Sequence, residues 1–216
     1  MLRLDQVRAA IAQHVVLRQV SFEVMPSCTT VLIGRNGAGK TTTLRSIMGL
    51  LPLTGGSILL DDQNLADVPS FHRAGLGIGY APEDRRLISS CSVEENLLLP
   101  AIALNLSASE RRRRLMEIYG LLPELAEFRK RDAGVLSGGQ GKMVALGRAL
   151  VAGTRYVLLD EPFQGLAPAL ALTYADALAR LRRSRPELGL LITESTPKLL
   201  DKIVDSSLTI ERGEVS

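Results

Sequence analysis

The stretch CTTVLIGRNGAGKTT (28–42) changes character twice. Its first part is apolar and β-branched, the composition of a buried strand. Its middle, Gly34-Arg35-Asn36-Gly37-Ala38-Gly39, is a turn. Lys40, Thr41 and Thr42 then open a helical pattern. Strand, glycine turn and helix in this order satisfy G-x-x-x-x-G-K-[ST] in the context that gives the motif meaning. The glycines let backbone N–H groups face phosphates. The helix N-terminus adds partial positive charge. Lys40 is then placed for the β- and γ-phosphates of a nucleotide, and the Thr41 hydroxyl for Mg²⁺. Cofactor contacts are expected along the whole loop: Gly34, Arg35, Asn36, Gly37, Ala38, Gly39, Lys40, Thr41 and Thr42.

A magnesium site needs a second half. In RYVLLDEP (155–162), apolar Tyr156 to Leu159 precede Asp160 and Glu161. Asp160, at the end of a buried strand, is placed to hold Mg²⁺. Glu161 is placed to accept a proton from an attacking water. A second glycine turn opens LSGGQGKMVALGRAL (136–150), again just before a helical pattern. One small domain therefore carries two turns built for phosphate.

The rest of the chain alternates strand and helix patterns. Residues 2–7, 20–24 and 56–62 read as strands, and 77–83 as a short strand entering a loop. A helix is expected at 40–50, closed by Gly49 and Pro52. Residues 93–131 are helical in texture, with Ser107 and Glu110 spaced as a capping box. A helix at 169–183, a strand at 188–193, a short helix at 197–204 and a hairpin piece at 207–215 complete the chain. This pattern predicts an α/β fold. A parallel sheet forms the core, the N-terminal strands make an antiparallel β edge, and an α-helical subdomain is inserted.

Phosphate loop, LSGGQ and strand-Asp-Glu, in this order, resemble the ATP-binding cassette (ABC) ATPases over essentially the whole chain. The resemblance implies a RecA-like P-loop NTPase core at 1–85 and 150–216, with a helical subdomain at about 90–149 bearing LSGGQ. It implies that the second turn serves another ATP molecule. Ser137, Gly138, Gly139 and Gln140 would close on the nucleotide of a second ABC ATPase subunit. Glu83, in PEDRR (82–86), stands where the family has a glutamine, and remains able to approach Mg²⁺ as a metal ligand. GLAP (165–168) stands in the loop that crosses the dimer interface.

GRNGAGKTTTLRSIMGLLP (34–52), YAPEDRRLISSCSVEENLLLP (80–100) and DEPFQGLAP (160–168) resemble the cassettes of importers for branched-chain amino acids and small amides. The implied function is an ATP-hydrolysing motor that drives separate transmembrane permease subunits, with an extracytoplasmic solute-binding protein as an indirect partner. Such importers often pair two different cassettes, so a heteromeric dimer is favoured. The rival readings are an exporter cassette, a soluble cassette outside transport, and a degenerate regulatory cassette with low hydrolysis.

Two positions depart from the family. The histidine that orients the attacking water falls, by position, on Ser195, a shorter group and the third expected catalytic residue beside Glu161 and Lys40. Slow turnover is expected unless a paired chain supplies the better site. The aromatic ring that stacks on adenine falls on Ile11, with His14 as a substitute or as a plain surface residue. Lost stacking costs roughly 1–3 kcal/mol, so weak discrimination of ATP from GTP is expected.

Bulk properties agree. The chain has 216 residues, 46% hydrophobic and 23% charged, which fits one compact domain. No apolar run is long enough to span a bilayer, and the start lacks a signal-peptide core. The expected place is cytoplasmic, peripheral on the inner face of the membrane. Cys28 and Cys91 fit no disulfide framework or zinc spacing. The net charge of +3 is concentrated partly in Arg111 to Arg114. Those arginines point all round a helix and lack interleaved aromatics, so no nucleic acid is expected as a partner.

Overall fold

The computed structural model describes residues 1–216. Its elements run β1 (Leu2–Ile11), β2 (His14–Val24), β3 (Thr29–Ile33), α1 (Lys40–Ile47), β4 (Leu53–Leu60), β5 (Gln63–Asn64), β6 (Ile78–Ala81), α2 (Val93–Ala103), α3 (Ala108–Leu121), α4 (Pro123–Glu127), α5 (Gly138–Ala152), β7 (Tyr156–Asp160), α6 (Pro168–Ser184), β8 (Gly189–Glu194), β9 (Ser206–Glu211) and β10 (Glu214–Val215). All ten strands join one sheet in the order β5-β4-β1-β2-β10-β9-β3-β8-β7-β6. From β9 to β6 the neighbours are parallel. The expected antiparallel edge is built by β1, β2, β4 and β5.

Strand burial follows from this arrangement. β7 and β8 are buried along their whole length, as central parallel strands covered on both faces must be. Successive side chains of a strand point to opposite faces. Val31, Val157, Leu159, Leu190 and Ile192 therefore join the core under α2 to α6. Leu32, Leu158 and Leu191 join the core that packs α1 against the antiparallel strands. β1 alternates buried and exposed positions, with bulges after Leu4 and Val7. One of these bulges brings the Gln6 carbonyl so near Gly56 that a Cβ there would lie 2.2 Å from it.

Several expected elements are revised. α1 ends at Ile47 rather than 50, and Gly49 turns away with a φ of 67°. Leu50 N–H then closes back on Arg45 O at 2.9 Å, and Arg73, only 7% exposed, lays its guanidinium across the helix end. It donates to Ser46 O (3.1 Å) and Ile47 O (2.6 Å), and also to Leu65 O (2.6 Å) and Val68 O (3.1 Å). These bonds hold two 3-10 segments, Leu65–Asp67 and Ser70–Leu76, that sequence patterning leaves unread. Arg73→Ala orphans buried carbonyls on both sides. It is expected to lower stability by about 3 kcal/mol in urea unfolding, with Arg73→Lys a poor substitute because it lacks the planar fork.

The helical texture of 93–131 resolves into α2, α3 and α4, broken at Asn105 with a φ of 52°. α2 continues through Pro100. Ser107 caps α3 by accepting from the Glu110 N–H at 3.2 Å, but the reciprocal half of the expected capping box is missing. Glu110 instead pairs with Arg113 at 2.7 Å and Arg114 at 2.8 Å. Those arginines are thus more than solvated surface, and Arg114 also donates to Val151 O at 2.6 Å. The expected helix at 197–204 shrinks to a 3-10 turn, Lys198–Leu200.

Candidate functional site

β3 delivers the chain to Gly34, which passes directly over β9. A Cβ at Gly34 would lie 2.5 Å from Ile210 O, so only glycine permits this path. Gly39 begins α1 with a φ of 116°, a backbone state closed to other residues. The turn leaves Lys40 4% exposed. Its ammonium donates to Gly34 O (2.5 Å), Arg35 O (3.1 Å) and Ser195 Oγ (3.1 Å), and pairs with Glu161 Oε1 at 3.0 Å.

β7 and β8 place the acidic side of the site. Asp160 lies opposite Thr193 in their register. Its carboxylate accepts from Thr193 Oγ1 (2.9 Å) and Thr41 Oγ1 (3.0 Å) on one oxygen, and from Tyr80 OH (3.1 Å) on the other. Burial pushes the Asp160 carboxyl up, while these three hydroxyls oppose the shift. The Tyr80 hydroxyl is held well above its usual range, first by burial and then by Asp160. Glu83 lines one small cleft with Thr41, Tyr80 and Asp160.

Glu161 follows in the left-handed region, with a φ of 43°. Its N–H is held by Thr193 O and Thr193 Oγ1, both at 3.1 Å. Ser195 Oγ, which accepts from Lys40, shares its single proton between Asn36 Oδ1 (3.2 Å) and Glu161 Oε2 (3.4 Å). Lys40, Thr41, Asp160, Glu161, Ser195 and Asn36 thus meet in one place, with Glu83 at its edge. A cleft of ≈ 540 Å³ runs beside the phosphate loop, lined by Gly34 to Ala38, Ser195 and Thr209 to Arg212. Ile11 does not line it; the residue stands 43% exposed at the tip of the β1–β2 hairpin.

The second glycine turn is built separately. Ser137 caps α5, accepting from the Gln140 N–H at 3.2 Å, and Gln140 Oε1 accepts from the Ser137 N–H at 3.1 Å. Gly139 is buried under Leu166 and Leu170, while Ser137 and Gly138 are exposed. None of the four lines a cleft around the phosphate loop.

Sequence reasoning missed Tyr80, Thr193, Lys142 and Glu194. Lys142 donates from α5 to Glu161 O at 2.6 Å. Glu194, 4% exposed at the end of β8, accepts from the Phe163 N–H at 3.0 Å and so pins the loop after Glu161. Burial, helped by the nearby Glu161 charge, pushes its carboxyl up from 4.5 to about 7. The folded state therefore binds this proton more tightly than the unfolded chain. The resulting stabilisation is full below pH 4.5 and is lost as pH rises through about 7, an amount of roughly 3 kcal/mol. Glu194→Gln keeps the acceptor and removes the titration. Urea unfolding is expected to show the variant gaining on the wild type by that amount between pH 4.5 and pH 8.

Comparison with known proteins agrees with this geometry. The ABC transporter family model matches residues 17–164, more than half of the chain. The high-affinity branched-chain amino acid transport ATP-binding protein BraG of Pseudomonas aeruginosa is 33% identical over 215 residues, covering 100% of this chain and 91% of that protein. The lipopolysaccharide export system ATP-binding protein LptB of Escherichia coli is 34% identical over 201 residues, covering 93% and 82%. A solved ATP binding subunit of an ABC transporter superposes with a TM-score of 0.85 at 28% identity, covering 100% of this chain and 88% of that one. The chain belongs to the ABC transporter family, as an ATP-binding and ATP-hydrolysing cassette subunit.

Proposed function

We propose that this ATPase powers import of branched-chain amino acids or related small solutes. The observation that carries the reading is full-chain similarity to BraG, covering nearly all of that protein. Two cassettes, differing in sequence, close on two ATP molecules and drive transmembrane permease subunits, with a solute-binding protein delivering cargo outside. No helix is long and apolar enough to cross a membrane; a separate permease with the cassette on its cytoplasmic face is the arrangement proposed. The regions 1–85 with 150–216, and about 90–149, are the proposed core and helical subdomain. An exporter role is the second reading, favoured by the likeness to LptB. The complex isolated through this chain and placed in vesicles should take up labelled leucine when ATP is supplied on the cassette side. Extraction of lipid without leucine uptake would favour export.

The residues divide the work as follows. Backbone N–H groups from Gly37 to Thr42 and the Lys40 ammonium hold the phosphates. Glu161, paired with Lys40, takes the proton of the attacking water. The donors Thr41 Oγ1, Asp160 and Glu83 are all oxygens on one small cleft, which fits Mg²⁺. The chain has no cluster of three His, Cys, Asp or Glu, so phosphate and water would complete the coordination. Magnesium bound there would neutralise charge developing on the phosphates.

Ser195 accepts from Lys40, and its single proton is shared between Asn36 and Glu161. It orients water more weakly than an imidazole, so basal turnover is slow. Ser195→His is expected to raise it several-fold in a phosphate-release assay; no change would remove Ser195 from the rate. Ile11 brings no ring and stands outside the cleft beside the phosphate loop, so ATP and GTP are expected to be poorly distinguished.

A further inference from the structure

The helix that begins at the second glycine turn grips the Asp160–Glu161 turn at one polar point. Lys142, in the second turn of α5, donates from Nζ to the Glu161 carbonyl at 2.6 Å. Lys142 and Ala145 of α5 line a small cavity together with Leu159, Asp160 and Pro162. Glu161 needs holding, because a left-handed φ in a non-glycine residue costs about 1–2 kcal/mol. Each of its polar ends is gripped by a different element. β8 holds its N–H through Thr193, α1 holds its carboxylate through Lys40, and α5 holds its carbonyl through Lys142. The carbonyl's further donor, Gln164 N at 3.2 Å, is local and carries no information from elsewhere. Lys142 is half-buried and feels the negative charges of Glu194, Glu83 and Glu161, none of which forms an ion pair with it. Burial lowers its pKa against their pull.

We propose that Lys142 is a positioning residue for hydrolysis, fixing the aim of Glu161 from the helix that carries Ser137 and Gly138. The proposal rests on the reading of Glu161 as the base. One hydrogen bond then links two events: the seating of the second glycine turn on a neighbouring ATP, and the direction of the carboxylate that meets water in this chain's own site. A misplaced base is costly, since an error of about 1 Å can slow a reaction on the order of 100-fold.

The test is steady-state ATP hydrolysis by the assembled transporter. Lys142→Met keeps the apolar stem and removes the donor. It is expected to lower kcat about tenfold or more, with KM for ATP unchanged. Lys142→Arg keeps a cation of similar reach and is expected to retain most of the rate, whereas the shorter Lys142→Gln is not. In a Glu161→Gln background, Lys142→Met should have no further effect, because the group it positions is already gone. A Lys142→Met kcat within twofold of wild type overturns the proposal. So does a loss confined to KM, or a loss as large in the Glu161→Gln background as in the wild type. If Lys142→Met fails to assemble, equal rates for Lys142→Gln and Lys142→Arg overturn it. Wild-type hydrolysis by Glu161→Gln alone would instead refute the base reading itself.

Discussion

Glu161→Gln is expected to lower ATP turnover by about 10²–10⁴-fold while leaving ATP bound, the range for removing a general base. The substitution changes little else. Gln keeps the size of the side chain, its backbone bonds to Thr193 and Lys142 are untouched, and one side-chain oxygen still accepts from Lys40. What disappears is a carboxylate that sits beside Ser195 and Lys40 and can take a proton. The effect therefore falls on kcat, with little change in ATP affinity. Phosphate release at saturating ATP measures the first, and titration calorimetry the second. Turnover within tenfold of wild type would assign the base to another group.

Gly138→Asp is expected to be as damaging to hydrolysis, through a different chain. Gly138 is exposed at the first position of α5, and an added Cβ there meets only Arg85 Nη1, at 3.7 Å. A carboxylate in the first turn of a helix is favourable for the fold. The same carboxylate faces whatever anion the turn receives. Like charges at close range repel by several kcal/mol when partly desolvated, so a γ-phosphate brought to this turn would be rejected. The variant is expected to unfold in urea at least as late as the wild type, and to lose hydrolysis in the assembled transporter by about 100-fold.

Much of this site was legible because it is contiguous. The phosphate loop and Asp160–Glu161 each sit at the end of an apolar strand, and both motifs survive reading along the chain. Ser137 and Gln140 were legible for the same reason. Thr193 and Tyr80 were not. Thr193 matters because the β7–β8 register sets it opposite Asp160, and Tyr80 because β6 lies beside β7. Such pairings between distant segments leave no local mark. Glu194 lies just past the strand expected at 188–193, and only packing shows that its carboxyl is enclosed. Nothing local in the sequence marks Arg73, yet it spans the end of α1 and holds the segment before β6. Glu110 matched a capping box, but the arginines three and four residues on compete for it, and a charged pair outweighs a single N–H. The break between α2 and α3 falls at Asn105 with no glycine or proline to mark it, so composition alone runs the two together, whereas Gly120 and Pro123 flank the break before α4.

The two glycine turns are proposed to serve different ATP molecules. Titration of ATP into the isolated Gly138→Asp chain, set beside hydrolysis by the transporter assembled with it, tests this most directly. An ATP affinity within about twofold of wild type is expected in the isolated chain, with hydrolysis lost in the assembly. An isolated chain whose own ATP affinity collapses with Gly138→Asp would show that both turns hold the same nucleotide, and would contradict the proposal.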